Sequence, residues 1–194
     1  MTFRRRRLVA MCWGVALSSC AEIAPQQPAT GTPPIVAARE DSSQRFITFV
    51  SPKAQHAPPF LGVPETNFYC LRSFVDRRTR ETAHQLYVTD SYFGAERGWN
   101  AARDNAGAPL AFIAIGQDEI TCDAGCSYVE EFAAKLPEST LRASPDGLAV
   151  TFSSRSGDEK TIVVPAEQLA AQLAAIDARR TPAQPIAASG TTSP

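Results

Sequence analysis

The chain has 194 residues, 44% of them hydrophobic, and a formal net charge of −1 from 19 basic and 20 acidic side chains. Four of the basic residues are the arginines at 4–7, and no acidic residue precedes residue 20. The chain from residue 20 onward therefore carries 15 basic and 20 acidic residues, a charge of −5. Such an acidic chain lacks the basic stripe with which proteins bind nucleic acid, so nucleic acid is excluded as the expected partner.

An apolar run of ten residues occupies positions 8–17, directly after the arginines at 4–7. A helix that crosses a bilayer needs about 20 apolar residues, so this run is too short to span a membrane. Its basic start, its short apolar middle and the small residues Ser18 and Ser19 at its end are typical of an export signal. A buried N-terminal helix is the alternative, but four consecutive arginines favour the signal because arginine is rarely buried.

The end of this segment, Leu17-Ser18-Ser19-Cys20, resembles the lipobox of bacterial lipoproteins. The resemblance implies that residues 1–19 are a signal peptide, and that the new N-terminal Cys20 is acylated on its thiol and its amino group. Ala21, in place of an aspartate, implies transfer to the outer membrane of a Gram-negative cell. The protein would face the periplasm, with exposure on the cell surface as an alternative. Residues 5–8 also approach the twin-arginine export pattern.

The two ends of the remaining chain have biased compositions. Residues 20–43 are rich in Pro, Ala, Thr and Gln and show no periodicity, which predicts a flexible tether behind the lipidated cysteine. Residues 181–194 are biased in the same way and predict a disordered tail. A single globular domain is expected between them, over residues 44–180.

Strand patterns dominate this domain, because aromatic and β-branched residues recur between polar turns. Residues 76–81 predict a solvated turn, and residues 155–159 predict the turn of a hairpin. Residues 98–107 are interpreted as a strand followed by a turn. The remaining predicted strands are 45–51, 67–75, 84–90, 109–115, 126–136, 147–154 and 160–164.

One helix is predicted after Pro165, which suits the first turn because a helix needs no N–H from that position. Leu169, Leu173 and Ile176 recur at helical spacing and form one apolar stripe. The segment ends at Thr181 before a proline. The predicted fold class is therefore mainly β: an antiparallel sheet or sandwich with one C-terminal helix packed on it.

Three cysteines remain after the lipid-bearing Cys20: Cys70, Cys122 and Cys126. The three residues between Cys122 and Cys126 predict a hairpin loop in which Gly125 takes the left-handed position. Opposed residues of a hairpin lie about 4.5–5.5 Å apart at Cα, which is within the range for a disulfide. We therefore expect a Cys122–Cys126 disulfide, with Cys70 as a buried thiol.

No cofactor or metal is predicted. A thioredoxin-like redox pair has two residues between its cysteines and a βαβ context, and both features are missing from this sequence. A zinc site made of the three cysteines and His84 lacks the paired C-x-x-C spacing of such sites. Both remain weaker alternatives to a structural role.

Polar residues on apolar strand faces form one candidate site. Counting by twos places Arg72, His84 and Glu130 among apolar neighbours, and charged groups are rarely buried without a partner. One hypothesis is an Arg72–Glu130 pair with His84 nearby. The alternative is that the strand faces carrying these residues are exposed to solvent, or that the pair has a purely structural role. The sequence shows no Ser-centred elbow, H-E-x-x-H motif, phosphate loop or dinucleotide fingerprint. The basic tip at 77–80 either contacts anionic head groups or is simply solvated.

The expected protein is a lipid-anchored, non-enzymatic module that binds another envelope protein or serves an assembly. It would bind the membrane through acylated Cys20. The alternative is a periplasmic enzyme or small-ligand carrier whose site includes Arg72, His84 and Glu130. An apolar cavity lined by these three residues would favour the alternative.

Overall fold

The structure is a computed structural model that describes residues 36–43, 45–122 and 125–180. These residues form eleven strands, two α-helices and one 3-10 helix at Phe60–Gly62. The strands are β1 Ala37–Glu40, β2 Phe46–Val50, β3 Ala54–Gln55, β4 Phe68–Asp76, β5 Thr82–Phe93, β6 Trp99–Asp104, β7 Pro109–Leu110, β8 Phe112–Thr121, β9 Ser127–Leu136, β10 Leu148–Ser154 and β11 Glu159–Val164. The helices are α1 Glu138–Arg142 and α2 Ala166–Arg180.

The strands form two antiparallel sheets. Sheet A has the order β1-β2-β4-β5-β9-β8, with the short β3 also paired to β4. Sheet B has the order β11-β10-β6-β7. The chain therefore leaves sheet A after β5, enters sheet B at β6 and returns to sheet A at β8. Short turns join β4 to β5 and β10 to β11, as the polar segments between these strands predict.

The main core lies between the two sheets. Because side chains alternate along a strand, one face of sheet A carries the residues that meet sheet B; we call it the inner face, and the opposite side the outer face. Leu86 and Val88 of β5 and Phe132 of β9 are buried on the inner face, against Val150 and Phe152 of β10. Apolar side chains from both sheets thus remove each other from water, which is the main stabilising term of the fold.

Helix α2 packs on the inner face of sheet A, beside the region covered by sheet B. Ile176 is fully buried against Phe49 of β2 and Val75 of β4. Two glutamines of the helix bond to the sheet: the Gln168 amide donates to Ser51 Oγ over 2.7 Å, and the Gln172 amide donates to the Phe49 carbonyl over 3.1 Å. The helix is therefore fixed by packing and by directional bonds.

The fold confirms the predicted class and most of its elements. The predicted helix stripe is buried at Leu169 and Ile176 and half-buried at Leu173. The strand predicted at 109–115 is instead divided at residue 111 into β7 and a longer β8, which belong to different sheets. The division places the two halves of one apolar run on opposite sides of the core.

The folded region begins before residue 44. Strand β1 lies within the predicted tether of 20–43 and pairs with β2 from Ala37 opposite Val50 to Glu40 opposite Ile47. All four β1 residues are exposed, so their strand conformation comes from the available edge of β2, which their sequence does not reveal. Helix α1 was also absent from the prediction, because its five residues are too few for an apolar periodicity.

Several predictions fall outside the described residues: the signal peptide, Cys20, most of the tether and the tail of 181–194. Among the helices of the described ranges, none is long and apolar enough to cross a membrane.

Candidate functional site

The structure does not bring Arg72, His84 and Glu130 together. His84 and Glu130 lie on the inner face of sheet A, whereas Arg72 lies on the outer face. The reason is the strand register: Arg72 is opposite Gln85, the neighbour of His84, and adjacent residues of a strand point to opposite sides. The predicted Arg72–Glu130 pair is therefore not formed.

His84 and Glu130 are also separated along the inner face. His84 is opposite Leu136 at one end of β9, and Glu130 is opposite Asp90, six residues further along β5. Each belongs to its own polar cluster, and the two clusters have different partners. The enzyme or carrier site that the sequence offered as an alternative is thus not assembled in this form.

The first cluster is a pair of buried carboxylates. Asp90 of β5 and Glu130 of β9 are directly opposite each other and are 2% and 5% exposed. The Glu130 carboxylate accepts bonds from the backbone N–H of Gly98 over 3.0 Å and of Trp99 over 3.1 Å. It also accepts a bond from the Tyr92 hydroxyl. Three donors thus replace the water that the carboxylate loses on burial.

Asp90 is held by two cations and an indole N–H. Its carboxylate binds the Arg97 guanidinium at 2.8 Å, the Trp99 indole N–H at 3.0 Å and the Lys160 ammonium at 2.9 Å. Both Asp90 oxygens are engaged in this way. His56 approaches the Lys160 ammonium through Nδ1 at 3.3 Å. Burial, followed by the charge of Lys160, lowers the pKa of His56.

These two carboxylates fix the crossover between the sheets. Glu130 holds the backbone at Gly98 and Trp99, which is the point where the chain enters sheet B. A catalytic acid–base pair needs to exchange protons with a substrate, whereas Asp90 and Glu130 are bonded to groups of the protein. An adjacent pocket touches Glu130 and measures about 240 Å³. That volume is below the roughly 300–1,000 Å³ of ordinary ligand sites.

The second cluster has the residue types of a hydrolase triad. The His84 ring accepts a bond from Ser73 Oγ at Nδ1 over 2.9 Å, and its Nε2 lies 3.4 Å from the Glu138 carboxylate. Ser73 Oγ itself accepts a bond from the Gln172 amide over 2.9 Å. Since the Glu138 carboxylate can only accept, the proton of the neutral ring lies on Nε2, facing Glu138, and the Ser73 hydroxyl donates to Nδ1.

Because this second cluster is buried, its role is structural. Ser73 is 1% exposed and His84 is 3% exposed, so a substrate does not reach the hydroxyl. Burial lowers the pKa of His84, although Glu138 opposes the shift. Hydrogen bonds from Arg180 in particular lower the pKa of the Glu138 carboxyl. The cluster connects β4, β5, α1 and α2 through their side chains.

Sequence reasoning found His84 but not its partners. Ser73 is an ordinary strand serine, and Glu138 lies in the short helix α1, 54 residues beyond His84. Pairing over such distances depends on the fold. The apolar neighbours of His84 were nevertheless a correct signal that this ring is buried.

The outer face of sheet A combines aromatic rings with cations. The Arg72 guanidinium lies 3.4 Å from the centroid of the Tyr87 ring, and the Lys53 ammonium lies 4.4 Å from that of Phe68. Cys70 is buried beside these two rings. Arg72 is thus stabilised by an aromatic face rather than by a carboxylate.

The predictions for Cys70, Cys122 and Cys126 are confirmed. Cys122 and Cys126 form a disulfide across the β8–β9 hairpin, with their Cα atoms 3.9 Å apart. Gly125 has a φ of +114°, a conformation that glycine adopts readily. Cys70 is a free, buried thiol, and burial raises its pKa.

The proposed zinc alternative is not assembled among these residues. Cys70 and His84 lie on opposite faces of sheet A, and the sulfurs of Cys122 and Cys126 bond to each other. Glu119 has an oxygen within 4.8 Å of both sulfurs. A metal prefers thiolate sulfur, which the disulfide does not offer.

Comparisons of the chain with protein-family models, with curated proteins and with solved structures find no match.

Proposed function

We propose that the protein is a lipoprotein of the Gram-negative envelope, anchored to the outer membrane through acylated Cys20. Its β domain acts as a non-catalytic binding or assembly module that faces the periplasm. The structural observation that supports this location is the Cys122–Cys126 disulfide. Disulfides persist in oxidising compartments such as the periplasm and are rare in the cytosol. This support is independent of the lipobox residues.

The physics of lipid anchoring supports a permanent attachment. A single myristoyl chain holds a protein only marginally, at about 0.8 kcal/mol per buried methylene, whereas two anchoring signals hold it stably. Lipobox cysteines receive several acyl chains. Acylation at Cys20 would therefore keep the β domain at the membrane throughout its lifetime.

The internal bonding of two buried polar clusters supports binding rather than catalysis. Glu130 lies in one cluster and His84 in the other. The Glu130 carboxylate, the His84 ring nitrogens and the Ser73 hydroxyl are each bonded to other groups of the protein. Strong internal bonding of this kind stabilises a scaffold, whereas a catalytic group keeps a site for its substrate.

Replacement of Cys20 tests the anchor. The full-length protein is expressed in a Gram-negative cell, and its N-terminal peptide is analysed by mass spectrometry. We expect acyl chains on Cys20 and a protein found in the outer-membrane fraction. The Cys20→Ser variant should lose both properties. Cys12→Ser is the matched control, and it should keep both because residue 12 precedes the cleavage point. An unmodified Cys20 in the wild-type protein would refute the proposal.

Cross-linking in intact cells tests the binding role. The chain has three lysines, Lys53, Lys135 and Lys160. Lys53 and Lys135 are exposed, whereas the Lys160 ammonium is paired with Asp90. We expect an amine-reactive reagent to join Lys53 or Lys135 to one envelope protein reproducibly, with Lys160 unreacted. Recovery of the protein only as an uncross-linked monomer would count against a protein partner.

A further inference from the structure

Three arginines from distant parts of the chain line one pocket of the domain. The pocket measures about 350 Å³, and its described lining consists of Arg77, Arg80, Arg179, Ile47 and Val75. The first two arginines belong to the β4–β5 turn, and the third lies in the last turn of α2. The fold thus brings together cations that are about a hundred residues apart in sequence.

The charge of this pocket is only weakly compensated. Arg77 lies 3.4 Å from Glu40, and both side chains are about half exposed, at 45% and 51%. Such exposed pairs are worth about 0–1 kcal/mol because water and salt screen them. Within the described ranges, no carboxylate is paired with Arg80 or Arg179.

The arginine next in sequence shows the contrast. Arg180 donates to both oxygens of the Glu138 carboxylate, each over 2.8 Å. Two adjacent arginines at the end of α2 thus differ: Arg180 is neutralised inside the fold, whereas Arg179 lines the pocket with no counter-charge from the part of the chain that the structure describes. An anion from solution would supply what the pocket lacks.

The turn that carries Arg77 and Arg80 is held in one conformation. The Arg80 N–H donates to the Asp76 carbonyl over 2.8 Å, and the Arg78 N–H donates to the Asp76 carboxylate over 2.8 Å. The bond from the Arg78 N–H, followed by that from the Arg45 side chain, lowers the pKa of the Asp76 carboxyl. Arg80 has a φ of +65°, where a glycine would be less strained. A fixed turn reduces the entropy that is lost when a ligand binds.

We propose that this pocket binds a phosphate group. Each guanidinium can donate two parallel bonds to phosphate oxygens, and phosphate offers enough oxygens and charge for three arginines, unlike a single carboxylate. Ile47 and Val75 provide apolar walls for the carbon part of a phosphate ester. The phosphate belongs either to a lipid head group or to a soluble ester. The site does not depend on the proposed anchor at Cys20.

Calorimetric titration of the full-length chain tests the site. Every protein carries Cys20→Ser, so that no acyl chain contributes to binding. The probes are inorganic phosphate and glycerol 3-phosphate, with glycerol as the neutral counterpart. We expect both phosphates to bind and glycerol to give no signal. Added salt should weaken binding, because charge supplies most of the attraction. Failure of both phosphates to bind, together with failure in the vesicle arm below, would overturn the proposal.

Four variants test where the phosphate binds. Arg80→Gln and Arg179→Gln should each weaken phosphate binding by about tenfold, since each removes a charged hydrogen bond. Arg78→Gln is the matched control: it lies in the same turn but outside the pocket, and should change affinity by no more than about twofold. An equal loss in Arg78→Gln would mean unspecific attraction and would overturn the proposal. Arg80→Gly repeats the test with a residue that suits the backbone.

A vesicle arm distinguishes the two sources of phosphate. The same proteins are mixed with phosphatidylglycerol vesicles, and with phosphatidylcholine vesicles for comparison. If Arg80→Gln and Arg179→Gln reduce binding to phosphatidylglycerol by about tenfold while Arg78→Gln does not, the ligand is a lipid head group. If only the soluble esters respond to the variants, the ligand is a free phosphate ester. Either result supports the pocket.

Discussion

Some of the buried polar residues in this protein are bonded by several other elements. His84 is the clearest case, because its two ring nitrogens face Ser73 of β4 and Glu138 of α1. Its pKa is lowered mainly by burial, so the folded protein holds the ring neutral at pH values where a free histidine is partly protonated. His56 is shifted in the same direction.

The direction of these shifts predicts how stability depends on pH. A histidine with a lowered pKa binds fewer protons in the folded than in the unfolded state, so its contribution is complete above about pH 6.5 and is lost as the pH falls. We expect the free energy of unfolding, measured with urea, to fall between pH 7 and pH 5. In His84→Gln the free energy of unfolding should fall less steeply over this pH range, and His56 should account for the fall that remains. An unchanged slope would show that His84 does not contribute.

At the scale of elements, the faces of single strands were predictable but their pairing was not. Counting by twos correctly grouped Arg72 with Cys70 and correctly placed Glu130 beside Phe132. It did not show whether the even or the odd positions of β4 face the core. That choice depends on the register of the β4–β5 hairpin, which places Ser73 opposite His84. The candidate cluster was wrong for this reason.

Patterned elements were predicted well, and context-dependent ones were missed. Helix α2 and strand β9 have enough residues for their periodicity to be recognised. Strand β1 and helix α1 have only four and five residues, and both are stabilised by contacts with neighbouring elements. Likewise, the partners of Glu130 are backbone groups at residues 98 and 99, which no side-chain pattern reveals.

Glu130 provides a test at this scale, because it fixes the crossover from β5 to β6. Glu130→Ala leaves the N–H groups of Gly98 and Trp99 and the Tyr92 hydroxyl without their acceptor. We expect the free energy of unfolding to fall by about 3–5 kcal/mol, because each buried donor that loses its acceptor costs about 1–3 kcal/mol. Urea denaturation measures this fall in the free energy of unfolding.

Two further variants complete this test. Glu130→Gln keeps one acceptor oxygen and should lose less stability than Glu130→Ala. Glu119→Ala removes an exposed carboxylate of β8 and should change stability by no more than about 0.5 kcal/mol. Equal effects of Glu130→Ala and Glu119→Ala would show that the bonds at the crossover contribute little.

For the whole molecule, the position at which the folded region begins is a measurable property. Val36 packs against the cluster of Phe49, Val75 and Ile176, and the Asp41 carboxylate accepts a bond from the Phe46 N–H over 3.1 Å. These contacts lie before residue 44, where the sequence placed the start of the domain. Val36, β1 and Asp41 therefore contact the folded domain, although they lie in the segment that the sequence predicts to be a tether.

Truncation measures the contribution of this region. A chain that begins at residue 36 should have the same urea midpoint as one that begins at Cys20. A chain that begins at residue 45 should lose about 1–3 kcal/mol, because it lacks the packing of Val36 and the bond from Asp41. Equal midpoints for all three chains would place the boundary at residue 44 after all.

The position of Asp90 between the sheets affects how the domain unfolds. This single carboxylate lies on β5 of sheet A, yet its partners Trp99 and Lys160 belong to sheet B. Separation of the sheets would break both of these contacts and expose the apolar core between the sheets, so a half-open form with one sheet intact is disfavoured. The two sheets should therefore lose their structure together, in one cooperative transition. A domain that opens in this all-or-none manner spends little time exposing its core to proteases.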